Sequence, residues 1–154
     1  MPEILKLTGQ ALDISGHKVR IGVPSVRPLV PAAALHSPMV TIKCAAPLKG
    51  RSPAEQARVF LDAIRQKLTG TREHLYELGL SADVQAAIPL RRTGPRTGEP
   101  VRRVVRIKDR TIVGFALLVS RLTAEESLLL QERGIGGRRR MGCGVFLPVR
   151  ETTP

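Results

Sequence analysis

Aromatic residues are scarce in this chain of 154 residues, which has no tryptophan, one tyrosine and three phenylalanines. Proteins that bind single-stranded nucleic acid by stacking its bases need several exposed aromatic rings, so this mode of binding is poorly provided for. The apolar fraction is nevertheless 42%, which is enough to build a core. That core must consist mainly of aliphatic side chains.

Cysteines and long apolar runs are also lacking. Cys44 and Cys143 are the only cysteines, which excludes a disulfide framework, and two thiols about a hundred residues apart do not suit a zinc site. Cys143 stands between two glycines, and we expect a small buried residue there.

No segment approaches the roughly 18 apolar residues of a transmembrane helix, and the first residues lack a signal-peptide pattern. We therefore expect a cytoplasmic protein that has no membrane partner.

Acidic residues are outnumbered, because 13 of them stand against 25 lysines and arginines and leave a net charge of +12. The excess is concentrated in two segments. Residues 91–110 carry seven arginines and one lysine against two acids, and residues 133–150 carry five arginines and no acid. Such a focused charge indicates a polyanionic partner, and we expect a nucleic acid rather than a membrane or an acidic protein.

The apolar pattern divides the chain into two units. Residues 1–37 alternate as a β-hairpin with a turn at Gly16-His17, and a proline-containing linker follows. Residues 38–150 form the second unit, and residues 151–154 are a tail. A lone hairpin is marginally stable in water, so the first unit needs something to pack on.

The second unit is predicted to have the order β-α-β-β-α-β, which is the α+β, ferredoxin-like arrangement. Two capping boxes, at Ser52 and Thr123, mark the starts of its helices. In chain order the predicted elements are the strand Met39–Cys44, a helix from Ser52 that ends by Gly70, a strand within 84–90, the strands Val101–Lys108 and Thr111–Ser120 joined at Asp109-Arg110, a helix from Thr123 with Gly134 at its αL terminus, and the strand Val145–Val149.

A glycine- and arginine-rich segment, here named the glycine loop, occupies residues Gly134–Gly144 between the last helix and the last strand. Glycine permits positive φ and lets backbone N–H groups approach phosphate oxygens, and arginine adds forked, charge-assisted hydrogen bonds to the same oxygens. No Gly-Lys-Ser/Thr closes the loop, so it is not a P-loop. The alternative is a solvated connector. The predicted RNA contacts are Gly134, Gly136, Gly137, Arg138, Arg139, Arg140, Gly142 and Gly144.

A second basic segment precedes the loop in the sequence. Arg102, Arg106 and Lys108 alternate along a predicted strand and would line one face or edge of the sheet with positive charge. Arg91, Arg92 and Arg96 flank them. We expect these three strand cations to contact RNA, although charge on the solvent face of an antiparallel strand is also common without a ligand.

The chain contains three histidines, His17, His36 and His74. None has the spacing of a metal site or of a catalytic triad, and we expect no bound metal. Their simplest interpretations are a turn residue, a linker residue and a residue at a helix end. His17 and His36 are the candidates for a general base, but the residues themselves assign neither of them.

The order of elements and the glycine loop together resemble the RAMP superfamily. More closely, a set of segments around the loop is similar to the CRISPR repeat-processing endoribonuclease of the myxan subtype, over about Leu12 to Val149. These segments are Arg106–Lys108, Val113–Leu117, Leu122–Ser127, the loop itself and Val145-Phe146. The resemblance implies a metal-independent, cofactor-free ribonuclease of antiviral defence. It would bind the repeat of a precursor CRISPR transcript, cut it into guide RNAs, and work beside other subunits of a CRISPR effector complex.

That family normally carries a further strand and a histidine-bearing helix ahead of the segments matched here. The resemblance therefore implies an N-terminally truncated chain, whose hairpin belongs to a partial first ferredoxin-like domain, and it transfers no catalytic residue. One alternative is a non-catalytic RNA-binding fragment or subunit that retains the guide RNA. Another is a ribosome-associated basic protein that binds structured RNA in general.

Overall fold

The computed structural model describes residues 6–23, 25, 27–43, 48–71 and 77–149. A two-stranded hairpin precedes a mixed unit of strands and helices. The elements are β1 (Ala11–Ile14), β2 (His17–Arg20), β3 (Ala34–Val40), α1 (Pro53–Thr69), β4 (Gln85–Ala87), β5 (Arg102–Ile107), β6 (Arg110–Ser120), α2 (Ala124–Arg133) and β7 (Leu147–Pro148).

The larger sheet confirms the predicted fold class. β4 and β5 lie one after the other along the same edge of β6, and β3 and then β7 follow on its other side. All of these neighbours are antiparallel. Counting β4 and β5 as one interrupted strand, the order is that of a ferredoxin-like βαββαβ unit.

Both helices pack on one face of this sheet. Phe60 of α1 contacts Phe115 of β6 with ring centroids 4.9 Å apart, and Leu130 of α2 lies in the same buried cluster. Burial of these apolar side chains is the main contribution to stability. The face away from the helices carries a smaller cluster of Met39, Ile112 and Cys143, so the expected burial of Cys143 is confirmed.

The two capping boxes form as predicted. The Ser52 side chain accepts from the backbone of Glu55, Pro53 takes the first helical position, and α1 ends before Gly70. Thr123 and Glu126 cap α2 in the same way. Among the described residues, no helix has the length and apolar character needed to cross a bilayer.

The first strand of the sheet lies earlier than predicted. The sequence places a strand at Met39–Cys44, but β3 is Ala34–Val40 and crosses the expected boundary between residues 37 and 38. The sequence argues against a strand at this position, because Pro38 lacks the N–H that a ladder of sheet hydrogen bonds needs. The register with β6 shifts between Ser37 and Val40, and this bulge accommodates the proline. Cys44 lies outside the described residues.

The turns and the last strand are also displaced from their predicted positions. Ser15 and Gly16 form the hairpin turn with positive φ at both residues, as a two-residue turn requires, so His17 begins β2. Lys108 has a φ of 51° and lies with Asp109 in the turn that joins β5 to β6. β7 is only two residues long, Leu147–Pro148, and the Val149 N–H after it donates to the Ala34 carbonyl at 3.1 Å.

The start of α2 is tied to the segment ahead of β4 by one carboxylate. Glu126 accepts from the backbone N–H of Thr123 at 2.9 Å and from that of Ser81 at 2.7 Å. These hydrogen bonds, with that from Thr123 first, hold the pKa of Glu126 below its ordinary value of 4.5. A carboxyl whose pKa is lowered by folding stabilises the folded state above its unfolded pKa, and this contribution is lost as the pH falls through the folded value.

We therefore expect Glu126→Gln to lower the free energy of unfolding at pH 7 and to lower it progressively less below pH 4.5. Urea denaturation at a series of pH values measures this difference. Glu125→Gln is the control, since Glu125 is an exposed acid in the same first turn. Identical pH profiles for the two variants would contradict the assignment.

Candidate nucleic-acid interface

The glycine loop is anchored on both faces of the sheet. Ile135, which is 2% exposed, packs in the main core beneath the helices. Cys143 packs on the opposite face with Met39 and Ile112. The loop therefore wraps around the end of β3, and its middle residues, 138–142, are left exposed.

Main-chain hydrogen bonds join the loop to the end of β3. The Gly137 N–H donates to the Thr41 carbonyl at 2.8 Å, and the Thr41 hydroxyl donates back to the Gly137 carbonyl at 3.1 Å. The Gly144 N–H donates to the Met39 carbonyl at 2.8 Å. A further bond, from Ile135 N–H to the Gly144 carbonyl, closes the base of the loop.

Three of the five glycines are required by close packing. A Cβ atom on Gly134, Gly136 or Gly144 would fall inside van der Waals contact of a neighbouring carbonyl oxygen, and all three have positive φ. Gly134 has a ψ of −175°, so it adopts an extended positive-φ conformation that is essentially confined to glycine, and not the predicted αL. By contrast, a Cβ on Gly142 would meet open space.

Some backbone N–H groups of the glycine loop donate to carbonyl oxygens of the protein, and others have no such acceptor among the described residues. Those of Gly134, Gly137, Gly142 and Gly144 donate to carbonyl oxygens of the protein, so the expected phosphate contacts cannot run through these four donors. Within the described ranges, the N–H groups of Gly136 and residues 138–140 meet no backbone acceptor. The available donors therefore belong mostly to the arginines.

The three consecutive arginines also have different roles. Arg138 is in the αL conformation with φ 56° and begins the 3-10 turn Arg139–Met141. The Arg139 guanidinium folds back and donates to the Arg133 carbonyl at the end of α2, where a cation also complements the helix dipole. Arg138 and Arg140 are exposed. Two of the three predicted arginine contacts therefore remain available for a ligand.

The interruption between β4 and β5 is a projecting hairpin, here named the arginine arm, at residues 89–100. Reciprocal main-chain bonds between Arg91 and the pair Gly98 and Glu99 hold its two sides together. A cavity of about 80 Å³ at its base is lined by Arg91, Arg96, Glu99, Pro100, Arg102, Val104 and Pro53. The Arg102 Nε is buried there and has no hydrogen-bond partner in the part of the chain that the structure describes. Three guanidinium groups thus surround a space next to the first residue of α1.

β5 carries two of its predicted RNA contacts on the face of the sheet opposite to Cys143 of the glycine loop. Arg102 pairs with Phe115 of the main core, so Arg102 and Arg106 lie on the helix side of the sheet. Lys108 is in the turn and not in the strand. Arg103 lies on the opposite face with Val105, which borders the glycine loop. Arg103 is not among the predicted RNA contacts, because the strand pattern alone does not show which face of β5 borders the loop.

The described residues do not gather a histidine at the loop. His17 is exposed and pairs with Ile14 at the end of the separate hairpin. His36 pairs with Leu118 of β6 and Leu147 of β7, and it lies three residues before Met39, about 10 Å along β3 at roughly 3.4 Å per residue. His74 lies outside the described residues. Neither His17 nor His36 gains a partner that marks it as a general base, and both remain predictions.

The packing of the glycine loop predicts different costs for two glycine substitutions. Gly144→Ala should destabilise the fold by more than about 3 kcal/mol, because positive φ adds to a clash with the Ile135 backbone. Gly142→Ala should cost only about 1–2 kcal/mol, the αL penalty alone. Denaturant unfolding of both variants measures the difference. Equal costs would show that loop packing is not the constraint.

The hydrogen bond from Arg139 to the end of α2 predicts that removal of this side chain destabilises the fold. Arg139→Ala should lower the free energy of unfolding by roughly 0.3–1 kcal/mol, the usual contribution of a cation at a helix C-terminus. Arg140→Ala is the matched control from the same exposed turn and should have no measurable effect. If the two variants unfold at the same denaturant concentration, Arg139 is not a helix cap.

Comparison with known proteins identifies the family. A family model described as Cas6 Crispr matches residues 1–151. The CRISPR-associated endonuclease Cas6 of Myxococcus xanthus (strain DK1622) is 37% identical over 145 residues, which cover 94% of this chain and 50% of that protein. The chain thus spans about half the length of this curated relative. A solved chain titled "Structure A of CRISPR endoribonuclease Cse3 bound to 19 nt RNA" is 18% identical, with a TM-score of 0.39 over 90% of this chain and 66% of that one. Because the family model matches nearly the whole sequence, this chain belongs to the Cas6 family.

Proposed function

We propose that this chain binds the repeat of a precursor CRISPR transcript and takes part in its metal-independent cleavage into guide RNAs. The observation that carries the proposal is the exposed turn of the glycine loop, where Arg138 and Arg140 stand beside backbone N–H donors without an internal backbone acceptor. Such an array suits successive phosphate oxygens. The relative from Myxococcus xanthus is described as an endonuclease, which agrees with this proposal.

The arginine arm would supply a second phosphate contact. Arg91, Arg96 and Arg102 surround a small cavity, and the buried Arg102 Nε lacks a hydrogen-bond partner within the described residues. Glu99 lines the same cavity, and a phosphate oxygen that binds the guanidinium groups would offset the remaining repulsion between them. The arm and Arg106 would then bind RNA on the helix side, while the glycine loop binds it at the end of β3.

Cleavage by this route needs no redox or metal step. A base takes the proton of the ribose 2′-hydroxyl, whose oxygen attacks the adjacent phosphorus. The bond to the 5′-oxygen breaks, and an acid protonates that oxygen, which leaves a 2′,3′-cyclic phosphate and a 5′-hydroxyl. In this scheme the loop arginines stabilise the negative charge on the phosphate.

A second candidate function is retention of RNA without cleavage, either alone or among other subunits of an effector complex. It is favoured by the histidines that the structure describes, because neither His17, in the outer hairpin, nor His36, on β3, gains a partner among the described residues that marks it as a general base. We also propose that β1 and β2 belong to a partial first domain, ahead of an RNA-binding domain that begins with β3. The exposed apolar residues Ile14 and Val19 of the hairpin support this division.

One experiment separates these functions. The protein is incubated with its cognate repeat RNA in excess EDTA, and an unrelated structured RNA of equal length competes at fixed salt. Preferred binding of the repeat with a cyclic-phosphate product supports the nuclease. Preferred binding without a product supports RNA retention. Equal affinity for both RNAs overturns the proposal in favour of a general basic RNA-binding protein.

Removing the exposed loop cations should weaken repeat binding. The double variant Arg138→Ala/Arg140→Ala should lose affinity and should reduce the slope of log affinity against log salt by about 1–2, since two phosphate contacts release fewer counterions. Filter binding at several salt concentrations measures both quantities. Arg58→Ala/Arg65→Ala removes the same charge from the outer face of α1 and should leave the slope unchanged. Equal slopes for the two double variants would remove the loop from the interface.

A further inference from the structure

A small apolar pocket, here named the loop pocket, lies between the glycine loop and the open face of the sheet. Its volume is about 110 Å³, and it is lined by Met39, Val105, Ile112, Arg138, Met141, Gly142 and Cys143. Met39, Ile112 and Cys143 form its buried floor. Val105 and Met141 are 38% and 55% exposed and form the rim. This site is separate from the main core and opens to the exterior.

The lining of the loop pocket suits a flat aromatic ring. Three of its side chains carry sulfur, which makes favourable contacts with aromatic rings. Apolar cavities of roughly 150 Å³ accept a benzene ring, so an open pocket of 110 Å³ has the right order of size for one ring. Arg138 is the charged residue among the described residues that line it.

The phenylalanines of the chain offer no surface for a base, because Phe60, Phe115 and Phe146 are each at most 1% exposed. The single tyrosine, Tyr76, lies outside the described residues. A nucleobase that unstacks beside the glycine loop would instead meet aliphatic and sulfur-containing side chains, and flipped bases can be held between apolar side chains. The loop pocket offers such side chains next to an exposed arginine.

We propose that the loop pocket binds one unstacked nucleobase of the RNA, while Arg138 binds the phosphate beside it. This inference rests on the proposed function, because the ligand is a base of the bound RNA. The pocket would add base-specific contacts to an interface that otherwise holds the backbone. It would also position one nucleotide relative to the loop.

The test is a cycle of two changes, one in the RNA and one in the pocket. Each nucleotide of the cognate repeat RNA is replaced in turn by an abasic residue, and the affinity is measured for the wild-type chain and for Val105→Trp, which fills the pocket from its rim. We expect one abasic position to weaken wild-type binding roughly tenfold, the usual scale for a bound base. For Val105→Trp, we expect the RNA with this abasic position to bind as tightly as the intact RNA.

Two further variants keep the result interpretable. Val149→Trp is the matched control, because Val149 is 42% exposed and follows β7 at the opposite edge of the sheet; it should retain the wild-type abasic profile. Met141→Ala removes an exposed wall and should reduce the penalty at the same position, even if Val105→Trp fails to fold. A wild-type profile in both pocket variants overturns the inference and leaves the proposed function intact. Failure of the wild-type chain to prefer its repeat RNA overturns the proposed function itself.

Discussion

The main-chain hydrogen bonds between the glycine loop and the end of β3, here named the seam, are the constraint on which the candidate nucleic-acid interface depends. Gly137 and Gly144 bond to main-chain carbonyls of Thr41 and Met39, and this approach leaves no room for a Cβ on Gly136, which would clash with the Thr41 carbonyl oxygen. The seam places Ile135 in one core and Cys143 in the other. Because both ends are fixed, the exposed turn with Arg138 has a defined position although it carries few buried side chains.

Much of the fold could be predicted because its signals are local. The capping boxes at Ser52 and Thr123 and the alternation of Val113–Val119 depend on near neighbours, so helices and the central strand appear where they were expected. The prediction placed β3 too far along the chain, because the effect of Pro38 on a strand depends on how the partner strand pairs with it. A proline argues against a strand until the register shift opposite Phe115 provides a bulge for it.

The candidate site was less predictable, since composition identifies which residues are basic but not where their side chains point. Arg138, Arg139 and Arg140 are equivalent in sequence, yet Arg139 caps α2 because of where that helix ends relative to the loop. Likewise, Arg102 and Arg103 are neighbours that lie on opposite faces of β5. The loop pocket could not be anticipated at all, because Met39, Ile112 and Cys143 meet only through long-range packing.

The arginine arm has a consequence for how this surface can diverge. Before the arm, Ala87 of β4 pairs with Leu118 of β6. After the arm, the Ala116 N–H of β6 donates to the Val101 carbonyl at 2.9 Å. The arm thus leaves and rejoins the sheet at nearly the same point, and its residues contribute nothing to the register of the strands. A change in the length or charge of this hairpin would therefore leave the core undisturbed. Under the proposed function, the contact with RNA can change at this position while the glycine loop and its seam stay the same.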